Sequence, residues 1–426
     1  MEAFLSWLPW LFVSAVVFFA LGWLGARIDV KHLLTQSREL PRAYFQGLNF
    51  LLNEQPDQAI EALLEASRQH PEVVELQFAL GSLFRRRGEI DRALRVHKAL
   101  SERSGLTTDE RTAALYETAL DYHKSGLLDH AEKILLDVID MRGAPEARRH
   151  TALSLLLNLY QQERNWRRAI DIARMLDSDL PAEKRKHAAV IANFHCELAV
   201  ELHAANASAD AQADANAQLD HALREYPLCV RANLLRGQWL ESQGRHAEAI
   251  AVWRAIEAQD ASYLGLAAEG FLCAHQALGK GAEGLAELSR MQSQYPSLDI
   301  FTILFKATLK EQGADAAADL VKEDLRLNPT LVGLDHLLEA RVLAATDDRK
   351  ADLETLKSLV HSHASRLAVY LCRSCGFKAK QWYWHCPACN GWDTFPPRRT
   401  AEYDTAERHL ARLQAEHIEN QKNKRG

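Results

Sequence analysis

Four cysteines stand in two tight pairs near the C-terminus, Cys372-x-x-Cys375 and Cys386-x-x-Cys389, with ten residues between the pairs. Two such knuckles can deliver four thiolates tetrahedrally to one metal ion. Gly376 directly follows the first knuckle, and Asn390 and Gly391 follow the second. Residues of this kind tolerate the positive φ of a tight knuckle whose amides point at sulfur. Zinc suits a four-thiolate shell, and so does iron. A redox dithiol needs only one such pair inside a βαβ unit, which leaves the second pair unexplained. The expected metal ligands are therefore Cys372, Cys375, Cys386 and Cys389, holding one zinc or iron ion.

The surrounding segment reads YLCRSCGFKAKQWYWHCPACNGWDTF over residues 370–395. Its aromatic and β-favouring residues between the knuckles predict a short hairpin. So small a patch cannot bury a core of its own, so the metal must hold it. His385 adjoins Cys386 as a spare ligand, but with four cysteines present it is expected behind the ligands or at the surface. Trp382, Trp384 and Trp392 are expected to pack the ribbon onto the last repeats. Cys196, Cys229 and Cys273 lie singly among apolar and helix-forming residues and read as buried, reduced fillers. Isolated thiols argue against a disulfide framework and for a reducing compartment. Elsewhere no nucleophile is paired with a base, and there is no phosphate loop or carboxylate dyad at a useful spacing, so no catalytic residue is expected.

The elements that carry the ribbon repeat. Gly47, Ala59 and Pro71 are spaced twelve apart, as are Gly81 and Ala93, Gly237 and Ala249, Ala169 and Pro181, Ala215 and Pro227, and Ala317 and Pro329. Gly47 to Gly81 and Ala59 to Ala93 are each thirty-four residues. Gly88, Gly126 and Gly244 each stand five residues before the repeat alanine. A small residue on a first helix lets a second cross closely, a glycine closes the turn between them, and a proline ends the second helix. Each hairpin leaves an apolar face open and must stack on its neighbours. About nine such units are expected within residues 31–366, the last a degenerate hairpin over Leu331–His363. AANASADAQAD, residues 204–214, reads as an enlarged loop between helices. Tyr44, Leu48, Phe78, Arg85, Arg86, His123 and Lys124 are expected on a concave face in the first three units.

Residues Ala3 to Ala26 carry no charged side chain. At about 1.5 Å per residue they can span a hydrocarbon core of about 30 Å. Trp7, Trp10 and Trp23 lie toward the ends, where indoles favour the interface. Only Met1 and Glu2 precede the run, which lacks the basic start of a cleaved signal peptide. Arg27, Lys31, Arg38 and Arg42 all follow it, which directs the rest of the chain to the cytoplasm. The 426-residue chain has a formal charge of -6, so a nucleic-acid partner is not expected. Past Pro397 the composition turns charged, with a short amphipathic helix possible over Tyr403–Leu413.

The repeat offsets resemble the tetratricopeptide repeat. An anchor (1–30), a repeat array (31–366), a rubredoxin-like ribbon (367–396) ending CPACNGWDT and a charged tail (397–426) together resemble the lipopolysaccharide assembly protein B family of Gram-negative bacteria. YFQGLNFLLNEQPDQA, residues 44–59, and the ribbon carry most of that likeness. It implies an all-α superhelical solenoid and a non-enzymatic inner-membrane adaptor. It implies as partners the membrane protease FtsH, the deacetylase that commits carbon to lipid A, and other lipopolysaccharide-assembly proteins. A repeat adaptor of another membrane assembly pathway and an iron-ribbon electron carrier are the alternatives.

Overall fold

The computed structural model describes residues 42–53, 55–178, 186–205, 209–367 and 369–399. The apolar N-terminal segment, Pro181 and the charged tail lie outside them, as do the side chains of Tyr44 and Leu48. Among the described residues, no helix is long and apolar enough to cross a membrane. The chain divides into two compact units at Arg164/Asn165.

The first unit contains α1 (Arg42–Leu52), α2 (Pro56–Gln69), α3 (Val74–Arg86), α4 (Ile90–Ser101), α5 (Thr108–Lys124), α6 (Leu128–Asp140) and α7 (Glu146–Gln162). Each helix packs on the next, so the first six form three stacked hairpins closed by α7. The turns after α3 and α5 are closed by Gly88 and Gly126, both at φ +79°. Thr107 starts α5 with a capping box: its hydroxyl accepts from the Glu110 amide at 3.2 Å, and the Glu110 carboxylate accepts from the Thr107 amide at 2.9 Å.

The repeat glycines mark the closest approaches. A methyl added at Gly47 would lie 2.8 Å from Leu63, and one at Gly81 would lie 2.3 Å from the Nε2 of the buried His97. The facing alanines Ala59, Ala93 and Ala131 are fully buried. His97 in turn holds a buried polar cluster. Its Nδ1 is 2.6 Å from Asp121, and Asp121 accepts from Arg85 at 2.8 Å while Arg85 also pairs with Glu117. Arg85 is therefore committed to the interior and is not a free groove residue as expected. Phe78 is half-buried toward His97, and His123 is half-buried against Gln162. Arg86 and Lys124 are exposed.

The second unit contains α8 (Trp166–Leu176), α9 (Ala188–Ala205), α10 (Ala209–Glu225), α11 (Val230–Ser242), α12 (His246–Asp260), a 3-10 turn (Ala261–Tyr263), α13 (Leu264–Ala277), α14 (Gly281–Gln294), α15 (Leu298–Gln312), α16 (Ala314–Leu327), α17 (Leu331–Ala344) and α18 (Asp347–Leu367). The helices again stack in order. Pro227 and Pro329 each follow two residues after a helix end. Trp253 of α12 is 2% exposed and fills the centre. It fits because Gly237 on α11 and Gly270 on α13 present bare backbone to its two sides: added methyls would lie 2.1 Å and 2.7 Å from the indole.

Residues 209–214 form the first turns of α10 rather than part of a loop. Alanine is the strongest helix former, and Asp210 in the first turn favours the positive end of the helix dipole. Of the three isolated cysteines, Cys196 and Cys229 are buried but Cys273 is exposed.

Candidate metal centre and its seat on the repeats

The ribbon follows α18. Strand β1 (Tyr370–Leu371) pairs antiparallel with β2 (Lys378–Ala379), aligning Tyr370 with Ala379 and Leu371 with Lys378. The hairpin thus encloses the first knuckle, not the stretch between knuckles as expected. The second knuckle is closed in the same way by a bridge between His385 and Trp392. Within each knuckle the hydrogen bonds correspond. Cys372 N donates to Phe377 O and Gly376 N to Cys372 O; Cys386 N donates to Gly391 O and Asn390 N to Cys386 O; all four are 2.9 Å. Gly376 and Asn390 occupy equivalent positions and both have positive φ, +75° and +55°. Asparagine tolerates that conformation better than most residues.

The four sulfurs converge. All lie within 4.8 Å of one another, with Cys372 Sγ 3.8 Å from Cys389 Sγ and Cys375 Sγ 3.7 Å from Cys386 Sγ. A tetrahedral site with metal–sulfur bonds of about 2.3 Å has sulfur–sulfur edges of about 3.8 Å. Their protonation fits a cation as well. Burial opposes ionisation of Cys372, but hydrogen bonds from Thr394 and from the amides of Cys375 and Ser374 bring its pKa down to about 6. Cys375 goes the other way. The Phe377 amide favours its thiolate, yet desolvation and the neighbouring Cys372, Cys389 and Cys386 push it up to about 12. The Cys372 thiolate forms readily, whereas Cys375 and Cys386 resist ionisation. A metal ion supplies the positive charge that four together require. His385 is not a ligand: its Nε2 lies 3.0 Å from the Asn390 carbonyl oxygen, and its ring stacks on Trp392 at 4.5 Å.

Within the second unit the ribbon is seated on α8, α9, α11, the turn before α13 and α15. Trp392 meets Trp166 of α8 and Phe194 of α9 edge-on, at 6.1 and 5.7 Å. Trp384 stacks flat on Tyr263 at 5.6 Å, and Trp382 meets both edge-on. The guanidinium of Arg231 lies over both Trp384 and Trp392, held by Glu197 at 2.8 Å. Asn193 donates to Asp393 at 2.9 Å. At the far side, one carboxylate of α15 holds both ends of the ribbon: Asp299 accepts from Tyr370 at 2.7 Å and from Arg399 at 2.8 Å. The three ribbon tryptophans thus pack on the repeats as expected, but on α8, α9, α11 and the turn before α13 rather than on the last hairpin. Asn193, Arg231, Tyr263 and Asp299 escape a reading of the sequence because each sits alone in an ordinary helix or turn. The one legible sign was the unusual tryptophan content of the ribbon.

A family model described as a rubredoxin metal binding domain matches residues 370–397, and one described as a tetratricopeptide repeat matches residues 46–102 and 213–263. Lipopolysaccharide assembly protein B of Escherichia coli K12 is 32% identical over 403 residues, 91% of this chain and 98% of that protein. The chain belongs to the lipopolysaccharide assembly protein B family. The protein of that name in Haemophilus influenzae is 27% identical over 92% of this chain and 99% of its own length. The chain is a helical tetratricopeptide-repeat protein ending in a rubredoxin-like ribbon whose four cysteines are clustered for one metal ion.

Proposed function

We propose that this chain is an inner-membrane-tethered, cytoplasm-facing adaptor that regulates lipopolysaccharide synthesis. The observation that carries this reading is the match to family relatives along nearly their whole length, covering repeats and ribbon alike. Stacked hairpins offer extended surfaces to protein partners. The uncharged run Ala3–Ala26 and the basic residues after it support the tether and its orientation. In the finer form of the proposal, the array holds the lipid A deacetylase beside the protease FtsH and so speeds its degradation, while also contacting other lipopolysaccharide-assembly proteins. Confinement to one membrane raises the effective concentration of such partners, so weak contacts suffice. The ribbon metal, zinc in this proposal, keeps the docked ribbon in shape rather than carrying electrons.

Pulse-chase of the deacetylase tests this. In cells depleted of the adaptor its half-life should lengthen several-fold and lipopolysaccharide should rise. An unchanged half-life would refute the proteolytic role. A chain lacking residues 1–26 should fold and bind metal yet fail to restore turnover. A C-terminal reporter active only in the periplasm should stay silent.

A further inference from the structure

Cys196 and Cys229 are 33 residues apart in sequence, but their sulfurs lie 3.9 Å apart, both buried. Cys196 stands on the third turn of α9, and Cys229 is the residue that opens α11. The two sites differ in access. Cys229 lines a cavity of about 230 Å³ between ribbon and repeats, together with Asn193, Tyr226, Tyr263, Trp384 and Asp393; Cys196 does not line it. A space of that size and polarity admits several water-sized molecules. Their chemistry differs too. The hydrogen bond from Cys196 pulls the Cys229 thiol below its ordinary value against its burial, helped by the Ala232 amide at the start of α11. Burial pushes Cys196 well above its ordinary value. Thiolate character and access together mark the reactive partner of a cysteine pair.

We propose that Cys196 and Cys229 form a reversible redox pair, in which hydrogen peroxide entering the ribbon–repeat cavity oxidises Cys229 and Cys196 then closes a disulfide. The Cys229 thiolate attacks one peroxide oxygen; the S–O bond forms, the O–O bond breaks, and the departing hydroxide takes up a proton to leave as water. The Cys196 sulfur then attacks the Cys229 sulfur. The S–S bond forms, the S–O bond breaks, and the second hydroxide leaves as water with the Cys196 proton. Two thiols lose two electrons and two protons, and one peroxide becomes two waters. The sulfurs must close from 3.9 Å to about 2 Å. A cellular dithiol reverses the step by thiol–disulfide exchange. Among the described residues outside the ribbon, Cys196 and Cys229 are the two thiols whose sulfurs lie in contact, so the second step is poised there.

The test uses the reduced, metal-loaded full-length chain exposed to one equivalent of hydrogen peroxide, then alkylated and digested without reductant for mass spectrometry. The expected product is a Cys196–Cys229 linked peptide, lighter by two hydrogens and lost on dithiothreitol treatment, with metal content unchanged. In Cys196→Ala, a dimedone probe should label Cys229 at least several-fold above Cys273. In Cys229→Ala, Cys196 should remain unlabelled; circular dichroism checks that both variants keep their helices. Release of ribbon metal or modification of Cys273 before any Cys196–Cys229 linkage would overturn the proposal, as would equal labelling of the two single variants.

Discussion

Trp392 meets Phe194 edge-on, with ring centroids 5.7 Å apart and planes at 83°. The contact joins a residue three positions past the ligand Cys389 to a helix some two hundred residues earlier, so the metal site and the repeat stack share a seam. Trp392→Ala removes the edge contacts to Phe194 and Trp166 and the platform under Arg231. The expected cost to docking is about 2–4 kcal/mol from lost apolar contact and aromatic pairing. Metal content should stay at one per chain, because no ligand is touched. Limited proteolysis should cut within the ribbon sooner than in the parent, and elemental analysis should be unchanged.

Removing ligands reverses that pattern. Cys372→Ser or Cys389→Ser should lose the metal and loosen the ribbon, while most of the helical signal in circular dichroism persists, because repeats hold mainly to their neighbours. Full metal content in the double variant would rule out the site. A red chain with sulfur-to-iron charge-transfer absorption would show iron rather than zinc.

Gly237→Ala tests the repeat geometry. On an open helix the change would stabilise by about 0.5–1 kcal/mol. Here the new methyl meets the indole of Trp253, so a loss of about 1–3 kcal/mol is expected. Thermal denaturation decides the sign, and a rise in melting temperature would refute the close approach.

Arg85 and Arg86 should part company. Arg85→Ala strips the fully buried Asp121 of its cation and should cost about 3–5 kcal/mol in the first unit. Arg86→Glu should stay within about 0.5 kcal/mol, as exposed substitutions usually do. Denaturant titration of the two variants side by side makes the comparison.

Asp393 sets a pH dependence. Burial lifts its carboxyl above the ordinary 3.8, outweighing the hydrogen bond from Asn193 and the field of Arg231. The docked ribbon therefore retains a proton that the undocked ribbon releases. Docking should weaken as pH rises from the ordinary value through the raised one, and level off above it. Asp393→Asn keeps an acceptor for Asn193 and suits the +52° φ at this position. It should tighten docking at neutral pH and flatten that slope, read by tryptophan fluorescence of the metal-loaded chain. An equal slope in the variant would assign the titration elsewhere.

The repeats were legible because their geometry demands particular small residues at fixed offsets. Gly47, Gly81 and Gly237 each face the side chain sixteen positions on, and no larger residue fits. The metal site was legible because four ligands fall within eighteen residues. Contacts between distant repeats were not. Nothing in the sequence pairs Cys196 with Cys229 or Asn193 with Asp393, since helix stacking brings the first pair together and ribbon docking the second. Arg85 misled because a charged residue near a helix end usually faces water, whereas here Asp121 and Glu117 from the next hairpin draw it inward. Residues 209–214 misled in the opposite sense, since polar punctuation looked like a loop where helix propensity prevailed.

The clasp around Trp253 bears on how the nascent chain matures. Gly237, on the side already made, offers half of the seat for the indole; Gly270 supplies the other half and leaves the ribosome later. Until α13 emerges, one face of the largest buried side chain in the unit is open to water. Hairpin α11–α12 thus finishes folding one hairpin late, and translation arrested once Asp260 has cleared the exit tunnel should leave Trp253 quenchable by iodide, while arrest once α13 has cleared it should shield the indole.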